Sequence, residues 1–279
     1  MLFSRTDERS VLEAQKDGFQ KAENKVKSMW LPIFIISIPD ATERRAPLIS
    51  QLNEFNLKYE LIDAVDFRKG TPDIIEPCID YNAARKNLSR DILPVEIGCA
   101  LSHHMIYRMI LRDKLPGAII LEDDAILTEE FFELADSGLG NLNFDMLLLD
   151  HRLAYVSRMG KKKINSKSKA YVLKYHEVYC TTGYIINKCA AEYMIKNTFP
   201  LSGCADWPLD ITNLNCYAAH PRFVMHYNIG ESDSYIRNSI LEHEGGGIKR
   251  KKLSRYLNLR YWIRKKEKLI RKVVCKKIS

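Results

Sequence analysis

Three consecutive acids are the residues of this chain best placed to do chemistry. Glu122, Asp123 and Asp124 follow directly on the apolar run Ala118-Ile119-Ile120-Leu121. Such a run reads as a buried strand, and ionised carboxylates are too costly to keep inside it without a counter-charge. The chain must therefore leave its sheet at Glu122. In open α/β sheets ligands sit beyond the carboxyl ends of the strands, where these acids would stand. Residues i and i+2 of an extended segment point to the same side, so Glu122 and Asp124 are expected to converge on one cation. Hard oxygen ligands suit Mg2+ or Mn2+, ions that neutralise a departing diphosphate. The plainer alternative is an exposed acidic turn leading to a helix near Phe131.

The elements that must position these acids are legible on either side. Ile33-Phe34-Ile35-Ile36-Ser37-Ile38 is a continuous β-rich run, as in a strand covered on both faces. A polar helix over 41–56 and a second strand over 59–65 complete a βαβ unit, which favours parallel pairing. A helix over 94–113 carries Pro94 and Glu96 in its first turn. Strands over 118–121 and 144–149 follow. The alternation predicts an α/β fold with one nucleotide-binding domain around a central, mostly parallel sheet. The basic stretch 161–169 reads as a polar loop, either solvated or a flap beside the site. Gly245-Gly246-Gly247 marks a linker, so the chain divides into a polar helical extension (1–28), the domain (29–244) and a tail (245–279).

The net charge of +8 belongs to that tail. Fourteen basic residues and a single acid, Glu267, follow position 248, which leaves 29 basic against 34 acidic residues before it, a net of −5. A body of that sign does not offer a long phosphate-tracking groove, and no nucleic-acid partner is expected. In the tail Tyr256, Leu259, Ile263, Ile270, Val273 and Val274 share one helical face, while Arg255, Arg264, Lys265, Lys268, Lys272 and Lys276 cover much of the rest. This predicts a basic amphipathic helix. It either lies on an anionic membrane surface through residues 249–279 or packs on the body. The seven cysteines show no C-x-x-C pair and read as reduced thiols. Leu2-Phe3 runs at once into charges, and the longest apolar run, 30–39, is too short to span a bilayer.

Several motifs, taken in order, carry a family likeness. Ile35-Ile36-Ser37-Ile38 with Glu43-Arg44-Arg45, then Asp63-Ala64-Val65-Asp66, open the series. Glu96-Ile97-Gly98-Cys99-Ala100-Leu101-Ser102-His103 and Leu121-Glu122-Asp123-Asp124-Ala125 follow. Thr182-Gly183-Tyr184-Ile185-Ile186 and Glu231-Ser232-Asp233 close it. Over roughly residues 33–233 the set resembles glycosyltransferase family 25, the lipooligosaccharide-biosynthesis glycosyltransferases. Ser37-Ile38 departs from the Asn-Leu pair usual at the end of the opening strand. The resemblance implies a GT-A type fold, a UDP-sugar donor with galactose the leading sugar, a divalent cation and inversion at the anomeric carbon. A tail on the membrane would suit a lipid-linked oligosaccharide acceptor and a peripheral place at the inner face of the cytoplasmic membrane. The resemblance directs Ser37, Ser102, His103, Asp123 and Gly183 to the donor site, with Arg44 or Arg45 on the diphosphate or uracil and the other a surface charge, although His103 also fits a satisfied structural histidine and Gly183 plain core.

An inverting transfer needs a general base distinct from the metal-binding acids. Asp206-Trp207-Pro208-Leu209-Asp210 is the best segment for it, with Asp206 first and Asp210 second, because the indole offers a sugar a flat face. Asp206 equally suits the N-cap of a helix with Pro208 in its first turn. His220 and His226 are candidates for a further metal ligand. Two rival classes stand beside this reading: a binding module acting through its basic tail, and a nucleotidyltransferase. The second lacks the glycine-rich phosphate loop it would need.

Overall fold

The computed structural model describes residues 31–137, 143–152, 154–174, 178–226 and 275–278. The extension at 1–28, the Gly245–Gly247 linker, the Glu231-Ser232-Asp233 motif and most of the tail lie outside them.

The expected βαβ unit opens the fold. Strand β1 (Ile33–Ser37), helix α1 (Thr42–Glu54) and strand β2 (Glu60–Asp63) follow in order, with β1 and β2 parallel and Ser37 opposite Asp63. Helices α2 (Tyr81–Leu88) and α3 (Pro94–Arg112) lead to β3 (Gly117–Glu122), which runs parallel to β1 on its other side. Then come β4 (Ala125–Leu127), α4 (Glu129–Ser137), β5 (Met146–Leu148), β6 (Ala154–Lys163) and β7 (Lys169–Leu173). The order closes with β8 (Gly183–Asn187), α5 (Lys188–Thr198), β9 (Cys216–His220), β10 (Val224–His226) and β11 (Cys275–Ile278).

Nine strands form one sheet in the order β11-β6-β7-β9-β5-β8-β3-β1-β2, and β10 pairs with β4 in a separate ribbon. The sheet is mixed, which corrects the expectation of a mostly parallel one. Only β1–β2, β1–β3 and β5–β9 are parallel; β8 lies antiparallel between β3 and β5. The reason is where the chain re-enters. The Thr182 carbonyl accepts from Glu122 N–H (2.9 Å), so β8 starts at the carboxyl end of β3 and must run back along it.

Alternation along the strands sorts the core into two layers. Phe34, Ile36, Ala118, Ile120, Met146, Leu148, Tyr184 and Ile186 face α3 and α5 through Ile106, Tyr107, Ile110, Ala190, Ala191 and Met194. Ile33, Ile35, Ile119, Leu121, Leu147, Leu149 and Ile185 face the other way, towards Leu48 and Leu52 of α1 and Phe131 of α4. Each fully buried Ile or Leu stabilises this sandwich by about 1.5–3 kcal/mol. The continuous apolar runs are thus explained by helices on both faces.

Two further expectations are revised. The stretch 161–169 is loop only at its centre: Lys161–Lys163 end β6, Lys169 opens β7, and the turn between them is closed by Ile164 N–H to the Ser168 carbonyl (3.0 Å). Residues 275–278 are strand β11 rather than helix. They pair antiparallel with β6, and Lys276 Nζ sits 3.6 Å from the centre of the Tyr171 ring. An open sheet edge presents unpaired backbone groups, and this strand satisfies those of β6. Among the described residues no helix is long and apolar enough to cross a membrane.

Candidate active site

The carboxyl ends of β1 and β3 lie side by side, with Ile36 in register with Glu122. Just beyond them the first turn of α1 supplies two arginines. Arg44 donates from Nε to Asp123 Oδ1 (2.6 Å) and from Nη2 to Asp124 Oδ2 (2.7 Å). Ser37 Oγ donates to Asp123 Oδ2 (3.0 Å). Arg45 turns instead to the backbone leaving β1, donating to Ser37 Oγ and to the carbonyls of Ile38 and Pro39 (3.1–3.2 Å). Burial pushes the Asp123 carboxyl up despite Arg44. It pushes Asp124 up to about 6, with repulsion from Glu122 adding to the effect. Asp124 Oδ1 is buried without a hydrogen-bond partner.

Glu122 has partners of its own. Its Oε1 accepts from Thr181 Oγ1 (2.5 Å) and lies 3.3 Å from His103 Nε2. Burial works to raise this carboxyl, but His103, Thr181 and Arg44 together hold it below its ordinary range. Glu122 and Asp124 thus keep different hydrogen-bond partners, yet they lie near enough for the Glu122 charge to raise Asp124. Glu122 is the last residue of β3, and Asp123–Asp124 form a turn, so the two-residue alternation of an extended chain lapses between them.

Helix α3 brings His103 here through close packing. A Cβ on Gly98 would meet the Val65 carbonyl oxygen at 2.5 Å, so only glycine allows the helix to approach that backbone. One turn on, Ser102 Oγ donates to the Gly98 carbonyl (2.8 Å) and accepts from Val65 N–H (2.8 Å). Ser102 is wholly buried and holds the helix in place, a different task from the donor contact expected of it. His103 Nδ1 contacts the Tyr184 hydroxyl (2.7 Å), which in turn contacts the Tyr107 hydroxyl (2.8 Å). Gly183 is a packing residue, since a Cβ there would strike the Val224 side chain at 2.8 Å.

The two candidate bases separate cleanly. Asp206 Oδ1 accepts from Cys180 N–H (3.1 Å), and burial, then the Glu122 charge, push its carboxyl up to about 6. No helix starts at Asp206, so the capping alternative falls away. Asp210 is exposed and accepts from Thr212 N–H (2.9 Å) and Thr212 Oγ1 (2.6 Å), capping the short 3-10 helix Ile211–Asn213. Trp207 is no sugar platform: it is 2% exposed and lies edge-on to Tyr184 at 5.1 Å.

A second charged group at the same end of the sheet escaped the sequence reading. Asp150, wholly buried just past β5, accepts from Arg222 Nη1 (3.1 Å) and pairs with His226 Nδ1 (2.9 Å). Burial works to raise its carboxyl, but His226 and Arg222 hold it low, and hydrogen bonding to Asp150 raises His226 in return. The signal was available, because the apolar stretch 144–149 ends in an acid as 118–121 does. His220 sits apart with an unpartnered Nδ1, edge-on to Tyr171.

Residues 30–211 match the family model described as Glycosyltransferase family 25 (LPS biosynthesis protein). A putative glycosyltransferase of Haemophilus influenzae is 27% identical over 175 residues, covering 58% of this chain and 56% of that protein. An inactive glycosyltransferase 25 family member 3 of Mus musculus is 25% identical, covering 58% and 28% respectively. The lipooligosaccharide biosynthesis protein lic2B of Haemophilus influenzae is 25% identical, covering 66% and 70%. The chain thus spans about half, or less, of the first two of these relatives.

Proposed function

The chain belongs to glycosyltransferase family 25, and from that premise we propose that it is an active, inverting GT-A type transferase using a UDP-sugar. Galactose is the sugar to test first, and a lipid-linked lipooligosaccharide glycan is the acceptor. The observation that carries the reading is Asp206, a solvent-accessible carboxyl that local desolvation, then the Glu122 charge, pushes up to about 6, set apart from the acids of the β3 exit. A base poised near neutrality can take the acceptor hydroxyl proton and still be ionised at working pH.

The remaining residues divide the task. Arg44 and Ser37 fix the Asp123 carboxylate at the mouth of the site, and Arg44 brings positive charge to where a diphosphate would lie. The buried, unpartnered Asp124 Oδ1 beside two further carboxylates fits a hard divalent cation. Asp124 and Glu122 would hold Mn2+ or Mg2+, which when bound supplies Lewis acidity to the leaving diphosphate. His103 and Thr181 hold Glu122 ionised. Residues 249–279, with their 14 basic side chains, would seat the protein on the anionic inner face of the cytoplasmic membrane.

Release of UDP from UDP-galactose, UDP-glucose, UDP-N-acetylglucosamine and UDP-N-acetylgalactosamine, with Mn2+ and with chelator, tests this directly. Chelator-sensitive turnover of one donor is expected. No turnover together with no donor binding by calorimetry would place the chain with the inactive members of its family.

A further inference from the structure

We propose that Cys99, His103 and Glu122 form a site for a single thiophilic divalent cation of the Zn2+ class, distinct in its sulfur and nitrogen ligands from the oxygen-ligand pair proposed above, with which it shares Glu122 and not Asp124. The Sγ, imidazole nitrogen and carboxylate oxygen all lie within 4.8 Å of one another. Cys99 and His103 stand at i and i+4 on α3, so one helical face presents both, and the end of β3 brings in Glu122. Nitrogen and oxygen ligands bound at 2.0–2.1 Å in a tetrahedral shell are about 3.3–3.4 Å apart. His103 Nε2 and Glu122 Oε1 already stand 3.3 Å apart. A sulfur, a nitrogen and an oxygen select a zinc-like ion over Mg2+ or Ca2+.

The surroundings supply what such a site needs. A ligating histidine is oriented by a hydrogen bond to its other ring nitrogen, and His103 has one at Tyr184. Without an ion, Nε2–H can donate to Glu122 while the Tyr184 hydroxyl donates to Nδ1. With an ion on Nε2, the proton moves to Nδ1 and donates to the Tyr184 oxygen. The Tyr184–Tyr107 hydroxyl pair accepts either sense, because either oxygen can be the donor. Binding releases one proton to solvent, from the Cys99 thiol. Burial, Glu122 and Asp206 all disfavour the thiolate in the metal-free protein, and a divalent cation reverses that electrostatic sign. Cys99 and Glu122 are each partly exposed, which leaves an entry path. A second tripod, Asp150, Cys180 and His226, meets the same distance limit, but there Arg222 and His226 already balance the carboxylate.

Co2+ takes zinc ligands and reports thiolate coordination through a sulfur-to-cobalt charge-transfer band in the near ultraviolet. Titrated into the reduced, chelator-treated full chain, it should give a band saturating at one equivalent and bleached by Zn2+. The band should vanish in Cys99→Ser and persist in Cys180→Ser and Asp124→Asn. No band, a band surviving Cys99→Ser, or one lost in Cys180→Ser would overturn the proposal. If Cys99→Ser loses its native circular dichroism, His103→Gln takes its place. Co2+ affinity should then fall at least about tenfold, and unchanged affinity would overturn the site. The readout needs neither donor nor turnover, so it stands or falls apart from the transferase reading.

Discussion

Two acidic groups share one end of the sheet and are treated in opposite ways. Asp150 is given its counter-charges by the protein: Arg222 and His226 close on it, and its carboxyl is held low. Around Glu122, Asp123, Asp124 and Asp206 the described cations are Arg44 and, when protonated, His103, and three of the four carboxyls are pushed up. The more deeply buried carboxyl is the one held low, because Arg222 and His226 close on it, whereas Asp123, Asp124 and Asp206 are raised by desolvation and by the Glu122 charge. The first group is finished as structure. The second, with its perturbed carboxyls, is where function is to be sought.

The sharpest test of the contrast is Asp206→Asn. Loss of a general base should cut UDP-sugar turnover by about 10²–10⁴-fold while the fold stays intact. In the unsubstituted protein, turnover should fall as the pH drops through about 6, when Asp206 takes up a proton; in the variant that limb should disappear from the pH–rate profile. An unaltered profile would return Asp206 to an ordinary structural acid.

Stability should then move in opposite directions for the two groups. Asp150→Asn strands a buried Arg222–His226 arrangement and should cost about 3 kcal/mol in denaturant unfolding, the low end of the range because Arg222 keeps part of its water. Asp124→Asn should raise the melting temperature at pH 8. Asp124 has a folded pKa above its unfolded value, so it destabilises the fold once ionised, and the penalty disappears as pH falls below about 6. The gain in the variant should therefore shrink as the pH falls from about 6 and vanish only near the ordinary carboxylate value of 3.8. For Asp150 the sign is reversed: its folded pKa is depressed, so its contribution persists above the unfolded value and is lost only in stronger acid. Matching pH slopes for the two variants would erase the comparison.

Ser102→Ala is the mildest change. It leaves the buried Val65 N–H without its acceptor and should cost about 1–2 kcal/mol, with donor KM unchanged. A raised KM with unchanged stability would restore Ser102 to the donor site.

What the sequence showed and what it hid follow from the range of the interactions. The runs 33–38 and 118–121 announce themselves because helices cover both faces, leaving no polar alternation to blur them. The acids at 122–124 are equally plain, since a buried strand cannot continue through them. Strand direction is another matter. β8 looks like any buried strand, and only the return of the chain at Thr182 sets it antiparallel. The partners of Glu122 show the same limit, because Thr181, fifty-nine residues away, meets it only through that return. Asp210 and Asp206 looked alike on paper, and a local capping bond to Thr212 separates them.

The short strand at Cys275–Ile278 changes what the basic stretch before it can be. A segment fixed at one end is a tether, and its pull falls on a single point. Here the far end is stitched along β6, so force applied to residues 249–274 is delivered into a nine-stranded sheet. Any surface that holds that stretch then constrains the rotation of the protein about its edge as well as its height above the surface. Were the proposed lipid-linked acceptor to meet the protein there, its docking would be a question of mechanics as much as of affinity.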